Sequence, residues 1–234
     1  RNWNLPFNMV EFETSLGNYQ NAERWLQVAE ARDPNHPYLS SHRVLIFLAE
    51  GKTSEAIDEA ERNLSADPQD LVEALFMAAE SWLRDGNFEK ALQYLEEAHR
   101  ITPLGWDIVA RSRLTLLGWT LLKLGDTERG PALLDEVLQE ALLLIDQGNE
   151  EPVLRREVAA VYAATGDRQR AYEWLEKAID SGWLQERVYV SPLLESLHGE
   201  ERYKQLLQRI DADIERMKAR VEREGLAPPF PSEN

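Results

Sequence analysis

Through most of the chain apolar residues recur three and four positions apart, the spacing of one face of an α-helix. Leu75, Ala78, Ala79 and Trp82 lie on such a face before Gly86, and Leu92, Leu95 and Ala98 lie on another after it. The pattern predicts two helices joined at the glycine. Further on, residues 199–224 set Tyr203, Leu206, Leu207, Ile210, Ile214, Met217 and Val221 on one side of a single long amphipathic helix.

The join recurs. Leu16-Gly17-Asn18-Tyr19, Glu50-Gly51-Lys52-Thr53, Asp85-Gly86-Asn87-Phe88, Leu124-Gly125-Asp126-Thr127 and Thr165-Gly166-Asp167-Arg168 are similar strings, with 34, 35, 39 and 41 residues between successive glycines. Five positions after each glycine stands a small residue: Ala22, Ala56, Ala91, Gly130 or Ala171. In the first three units a proline, Pro34, Pro68 or Pro103, follows seventeen positions after the glycine.

Each marker has a physical task. Glycine ends a helix because it enters the left-handed conformation without a Cβ clash. The small residue lets two antiparallel helices approach closely, and proline stops the second helix. The unit is therefore a helical hairpin of about 34 residues.

These residues resemble the tetratricopeptide repeat (TPR). In the third unit the matches are Trp82, Gly86, Phe88, Ala91, Leu95, Ala98 and Pro103. In the first they are Gly17, Tyr19, Ala22, Leu26, Ala29 and Pro34, and in the fifth Tyr162, Gly166, Ala171, Leu175 and Ala178. The resemblance covers roughly residues 3–180 and implies an all-α fold, an α-α superhelix. Its five hairpins span about 3–36, 37–70, 71–105, 106–150 and 151–180.

Some positions depart from the family pattern. Gly130 replaces the usual alanine, Pro131 suits the first turn of a helix, and that helix is expected to run through Leu142, Leu143 and Ile145 to about Gln147. The first helix of unit one reads poorly, with Pro6 early and Glu13 where an aromatic or leucine is usual, so Trp3 and Phe7 form an irregular cap or the array was cut there.

Beyond residue 180 the period ends. Ser181-Gly182-Trp183 breaks the helix, and Ser191-Pro192 opens a short apolar turn with Leu193, Leu194 and Leu197. Residues 181–224 are thus a connector and capping helix, since a stack of hairpins leaves apolar surface at its end. The tail at 225–234, with Pro228-Pro229-Phe230-Pro231, is expected to be disordered. The segment from Tyr189 to Leu194 and from Glu201 to Leu207 is similar to the closing segment of bacterial multidomain signalling proteins, in which TPR arrays follow a winged-helix or nucleotide-cyclase domain. That resemblance implies a sensory or scaffolding portion of a longer protein, as does a chain that begins with Arg1. The compartment is expected to be the cytoplasm, with the periplasm as the alternative.

Charge narrows the partners. The chain has 234 residues, and 26 Lys and Arg stand against 42 Asp and Glu, a formal net charge of −16. Phosphate backbones and anionic lipid repel such a chain, so nucleic acid and membrane are not expected partners. The longest apolar runs, Val44–Ala49 and Ala141–Ile145, are too short to span a bilayer.

Catalytic chemistry finds little support. There is no cysteine, which removes thiolate nucleophiles and cysteine metal sites together. The four histidines, His36, His42, His99 and His198, form no HExxH and no i, i+4 pair. No GxSxG, GxxxxGK[ST] or GxGxxG occurs, and Glu96-Glu97, Asp135-Glu136 and Glu150-Glu151 read as solvated helix faces. The expectation is no cofactor, no metal and no enzyme.

In the TPR family the first helix of each hairpin lines the concave surface, so the resemblance implies a protein or peptide ligand there. The residues it points to are Leu45 and Leu48; Phe76, Glu80, Leu83 and Arg84; Thr115, Trp119, Leu122 and Lys123; and Arg156 and Ala160. Trp119 has two readings: a filler between adjacent hairpins, or an aromatic anchor flanked by Lys123, Arg84 and Arg156. The family's clamp for acidic chaperone tails needs Lys and Asn where this chain has Phe7 and Glu11. Alternatives to a binding module are a homodimer through the helix at 199–224 and an all-α enzyme domain. The spacing in that helix lacks a sustained heptad, which favours capping over a coiled coil.

Overall fold

The computed structural model describes residues 5–65, 68–102, 108–184 and 192–225. Trp3, Pro103, Tyr189 to Ser191 and the tail prolines, on which some of the expectations fall, lie outside them. Among the described residues there is no strand. Helices alternate along the chain as five successive pairs: α1 (Leu5–Ser15) and α2 (Tyr19–Arg32), α3 (Tyr38–Ala49) and α4 (Thr53–Arg62), α5 (Pro68–Asp85) and α6 (Phe88–Ile101), α7 (Ile108–Lys123) and α8 (Arg129–Asp146), and α9 (Pro152–Ala164) and α10 (Arg168–Asp180). A 3-10 turn at Pro192–Leu197 leads into α11 (Glu201–Glu224). The fold is an α-α superhelix.

The turn chemistry shows why the pairs form. Gly17, Gly51, Gly86, Gly125 and Gly166 all have positive φ, between +74° and +87°. At Gly86 the glycine N–H donates to the Leu83 carbonyl (3.1 Å) and the Asn87 N–H donates to the Trp82 carbonyl (2.9 Å). This double closure satisfies carbonyls that the helix end leaves without intrahelical partners. The next residue then starts the second helix: Asn87 Oδ1 accepts from the Lys90 N–H (3.0 Å), Asp126 Oδ1 from Arg129 (2.8 Å) and Asp167 Oδ1 from Arg170 (3.0 Å). One glycine and one capping side chain thus stop one helix and begin another.

Within each pair the small residue sits at the contact. Ala22, Ala56, Ala91 and Ala171 are all 0% exposed. Gly130, the departure from the pattern, has a physical reason in the structure. A Cβ built there would meet the Gly118 carbonyl oxygen at 2.8 Å and the Leu122 backbone nitrogen at 3.0 Å. A Cβ on Gly118 would in turn meet Leu134 Cγ at 2.9 Å. α7 and α8 therefore approach more closely than an alanine permits, through a glycine on each helix.

The first helices touch side by side, α1 with α3, α3 with α5 and α7 with α9. The second helices of the first four pairs instead bridge two first helices, as α2 does between α1 and α3 and α8 does between α7 and α9, while α10 packs on α9 and α11. The first helices are therefore the inner layer and the second helices the outer one. Polar ties cross the layers: Glu61 Oε1 accepts from Trp82 Nε1 (3.1 Å) and from the Tyr94 hydroxyl (2.7 Å), joining α4 to α5 and α6.

Both ends of the array behave differently from the middle. α1 is a regular helix rather than an irregular cap: Pro6 falls in its first turn, where no backbone N–H is needed, and Phe7, Val10 and Thr14 are buried. At the other end Tyr203, Leu206, Ile210 and Ile214 of α11 are buried, and Arg202 pairs with Glu176 of α10 at 2.9 Å. The apolar side outlasts its cover, since Met217 is 43% exposed. There α11 reaches unit one, and the Lys218 ammonium donates to the Leu16 carbonyl at the C-terminal end of α1 (3.4 Å). A cation is favourable at that helix terminus.

Gly130→Ala is expected to lower stability by about 1–3 kcal/mol, because backbone cannot yield as a side-chain tip can. Urea denaturation checks it. An unchanged midpoint would mean that the two helices slide apart at little cost.

Candidate functional site

Charged groups of all five first helices influence one another across the inner layer. Glu73 and Glu80 lie on one side of α5, seven residues apart, and both are half-buried. Burial pushes the Glu73 carboxyl above its ordinary range, opposed by Arg113 of α7 and His42 of α3, with Glu11 of α1 adding to the rise. Burial likewise raises Glu80, opposed by Arg84 of its own helix and Arg156 of α9, while Glu73 adds to the rise. A carboxylate on the middle helix thus senses groups from both ends of the array.

Around these two, the polar side chains are organised locally. His42 Nδ1 donates to the Tyr38 carbonyl at 2.8 Å, which turns Nε2 toward Glu11 Oε1 at 3.3 Å. The Ser112 hydroxyl of α7 donates to Glu157 Oε2 at 3.1 Å, and Arg156 Nη1 approaches the same oxygen at 3.7 Å. Glu157 is 2% exposed, yet its Oε1 has no hydrogen-bond donor among the described residues. An unsatisfied buried acceptor is costly. Arg156 also faces the Trp183 ring, 5.9 Å from its centroid.

The sequence-derived residues divide into two groups. Glu80, Arg84 and Arg156 are brought together. Leu45 and Phe76 are each 8% exposed, Leu48 and Leu83 are buried, and Thr115 and Ala160 are fully buried, so these side chains pack into helix seams and offer little open surface. Trp119 is 3% exposed, lies edge-on to Phe88 of the preceding hairpin at 5.6 Å, and carries Lys123 Nζ 5.2 Å from its ring centroid. Its packing is that of a filler between hairpins. Lys123 forms an ion pair with Glu195 of the 192–197 turn. Leu122 is half-buried beside α8.

Glu73, Arg113, Ser112 and Glu157 were not singled out from the sequence. The seven-residue step from Glu73 to Glu80 was an available signal for one of them. The others lie on α7 and α9, in later hairpins, so no spacing within one repeat relates them to Glu73. Among the described residues no group of three His, Asp or Glu is placed to hold a metal ion, and no helix is long and apolar enough to cross a membrane.

Residues 72–104 match the family model of the tetratricopeptide repeat. Among solved structures the fold is similar to that of a thermophilic TPR protein in Thermus thermophilus, with 18% identity and a TM-score of 0.57 over 84% of this chain and 99% of that one. It is also similar to nearly identical TPR-like repeats from Podosopora anserina, with 18% identity and a TM-score of 0.51 over 80% of this chain and 95% of that one. No curated protein matches the chain.

Two outcomes are expected at this site. Trp119→Ala should cost about 3–5 kcal/mol of stability, read by chemical denaturation, because it empties an enclosed site. Glu80 has a raised pKa in the folded chain, so its ionised form opposes folding once the pH rises above the ordinary carboxylate value of 4.5. Glu80→Gln should therefore raise the Tm at neutral pH, with the gain shrinking as the pH falls toward that value. A gain independent of pH contradicts this assignment.

Proposed function

We propose that this chain, a tetratricopeptide-repeat protein by its 72–104 unit and its fold, binds a peptide or protein segment along the inner face of the superhelix. The fold is typically a non-catalytic interaction scaffold, and no reaction is assigned to it. The observation that carries the reading is that half-buried Glu73, Glu80, Arg84 and Arg113 interact with one another and with the buried Arg156 and Glu157 across three inner helices. Charges held partly away from water interact strongly with a ligand of matching pattern and reject one of the wrong sign. The ligand that fits presents both signs of charge.

The larger setting we propose is a binding module of a bacterial regulatory protein, supported by the resemblance of the segment around residues 189–207. Homodimerisation through α11 is the weaker reading, because Tyr203, Leu206, Ile210 and Ile214 are already covered within the chain.

Affinity purification with the whole chain, followed by cross-link mapping, tests the proposal. Cross-links are expected on the inner faces of α5, α7 and α9, and Arg84→Glu or Glu80→Lys should weaken the captured partner about tenfold or more. Affinity untouched by both substitutions, or cross-links confined to the second helices, would overturn it.

A further inference from the structure

Where the array's ends meet, a cleft of about 450 Å³ opens between α1, the start of α9, the Gly182–Leu184 segment and α11. Its volume is in the range of ligand sites. Its walls are apolar: Phe12 of α1, Val153 of α9, Leu184 and Met217 of α11 all line it. Phe12 and Met217 are 40% and 43% exposed, large apolar side chains facing solvent across one opening. Glu11 and Glu151 are the charged lining residues, and among the described residues no Lys or Arg lines the cleft. On the neighbouring side of α11 stand Arg209, Arg216 and Arg220, each already paired with Asp180, Asp213 or Glu224.

We propose that this cleft docks a short peptide segment of a partner protein that carries large apolar side chains next to lysine or arginine, at a site separate from the inner polar face. The apolar walls take the anchors, and adjacent exposed apolar side chains in a cleft mark such a site. Charge complementarity selects the sign: Glu11 and Glu151 attract a cationic flank, and the chain's charge of −16 speeds the approach of basic partners. The same carboxylates disfavour acidic peptides and anionic lipid headgroups, and the neighbouring cation, Lys218, is engaged by Glu215 at 3.0 Å and by the Leu16 carbonyl. The volume holds a few side chains rather than a folded domain, so the occupant is a segment.

A random dodecapeptide display library panned against the whole chain is the test. The enriched peptides should pair aromatic, leucine or methionine residues with Lys or Arg. The leading peptide, synthesised and titrated, should lose about tenfold or more in affinity to Met217→Glu and to Phe12→Ser, both exposed positions, while Arg84→Glu on the inner face leaves it unchanged. Failure to enrich any peptide, enrichment of acidic peptides, or affinity indifferent to both cleft substitutions would overturn the proposal. So would light scattering that shows a dimer abolished by Phe12→Ser, since a second copy would then fill the cleft. Loss of affinity to Arg84→Glu alone would place the peptide on the inner face, supporting that reading and overturning this one.

Discussion

A pair of helices this short presents more apolar surface than the two can hide from each other, and the architecture follows from that shortfall. Each hairpin is completed by the next. The fully buried alanines at the contacts set how closely the helices of a pair approach, and the positive-φ glycines set where one ends and the other begins. Where closeness matters most, at Gly118 and Gly130, even an alanine is excluded. The last hairpin has no successor, so α11 lays its own apolar side over it.

The same demand explains why the inner face is charged. First helices pack against neighbouring first helices and against the outer layer, and those seams take up the large apolar side chains, Trp119 and Phe76 among them. The strip left over faces the curve of the superhelix. Placing carboxylates and guanidinium groups there keeps the strip partly hydrated. Glu73 and Glu80 carry the cost of their partial burial in their raised pKa values.

Much of this is written locally in the chain. The five turns, the long α8, the 192–197 turn and the capping helix all follow from glycine, proline and apolar spacing, because each depends on residues within one or two helical turns. The orientation of Trp119 does not. A first helix has buried seams on several sides, so its offset from Leu121 cannot separate a seam from the open strip, and its contact with Phe88 belongs to another hairpin. Pro6 was a misleading sign for the same kind of reason: a proline in a first turn leaves α1 intact. The cluster of Glu73, Arg113 and Glu157 depends on the curvature summed over three hairpins, which no single repeat encodes.

The Lys218 contact with Leu16 joins residues 202 positions apart in a fold otherwise made of neighbours. Repeat arrays fray from their termini, since a terminal unit is held on one side only. Here one hydrogen bond ties the first hairpin to the final helix, so melting at one extremity removes a small support, about 1 kcal/mol, from its opposite. A stack assembled by short-range contacts thereby carries one long-range tie between its extremities.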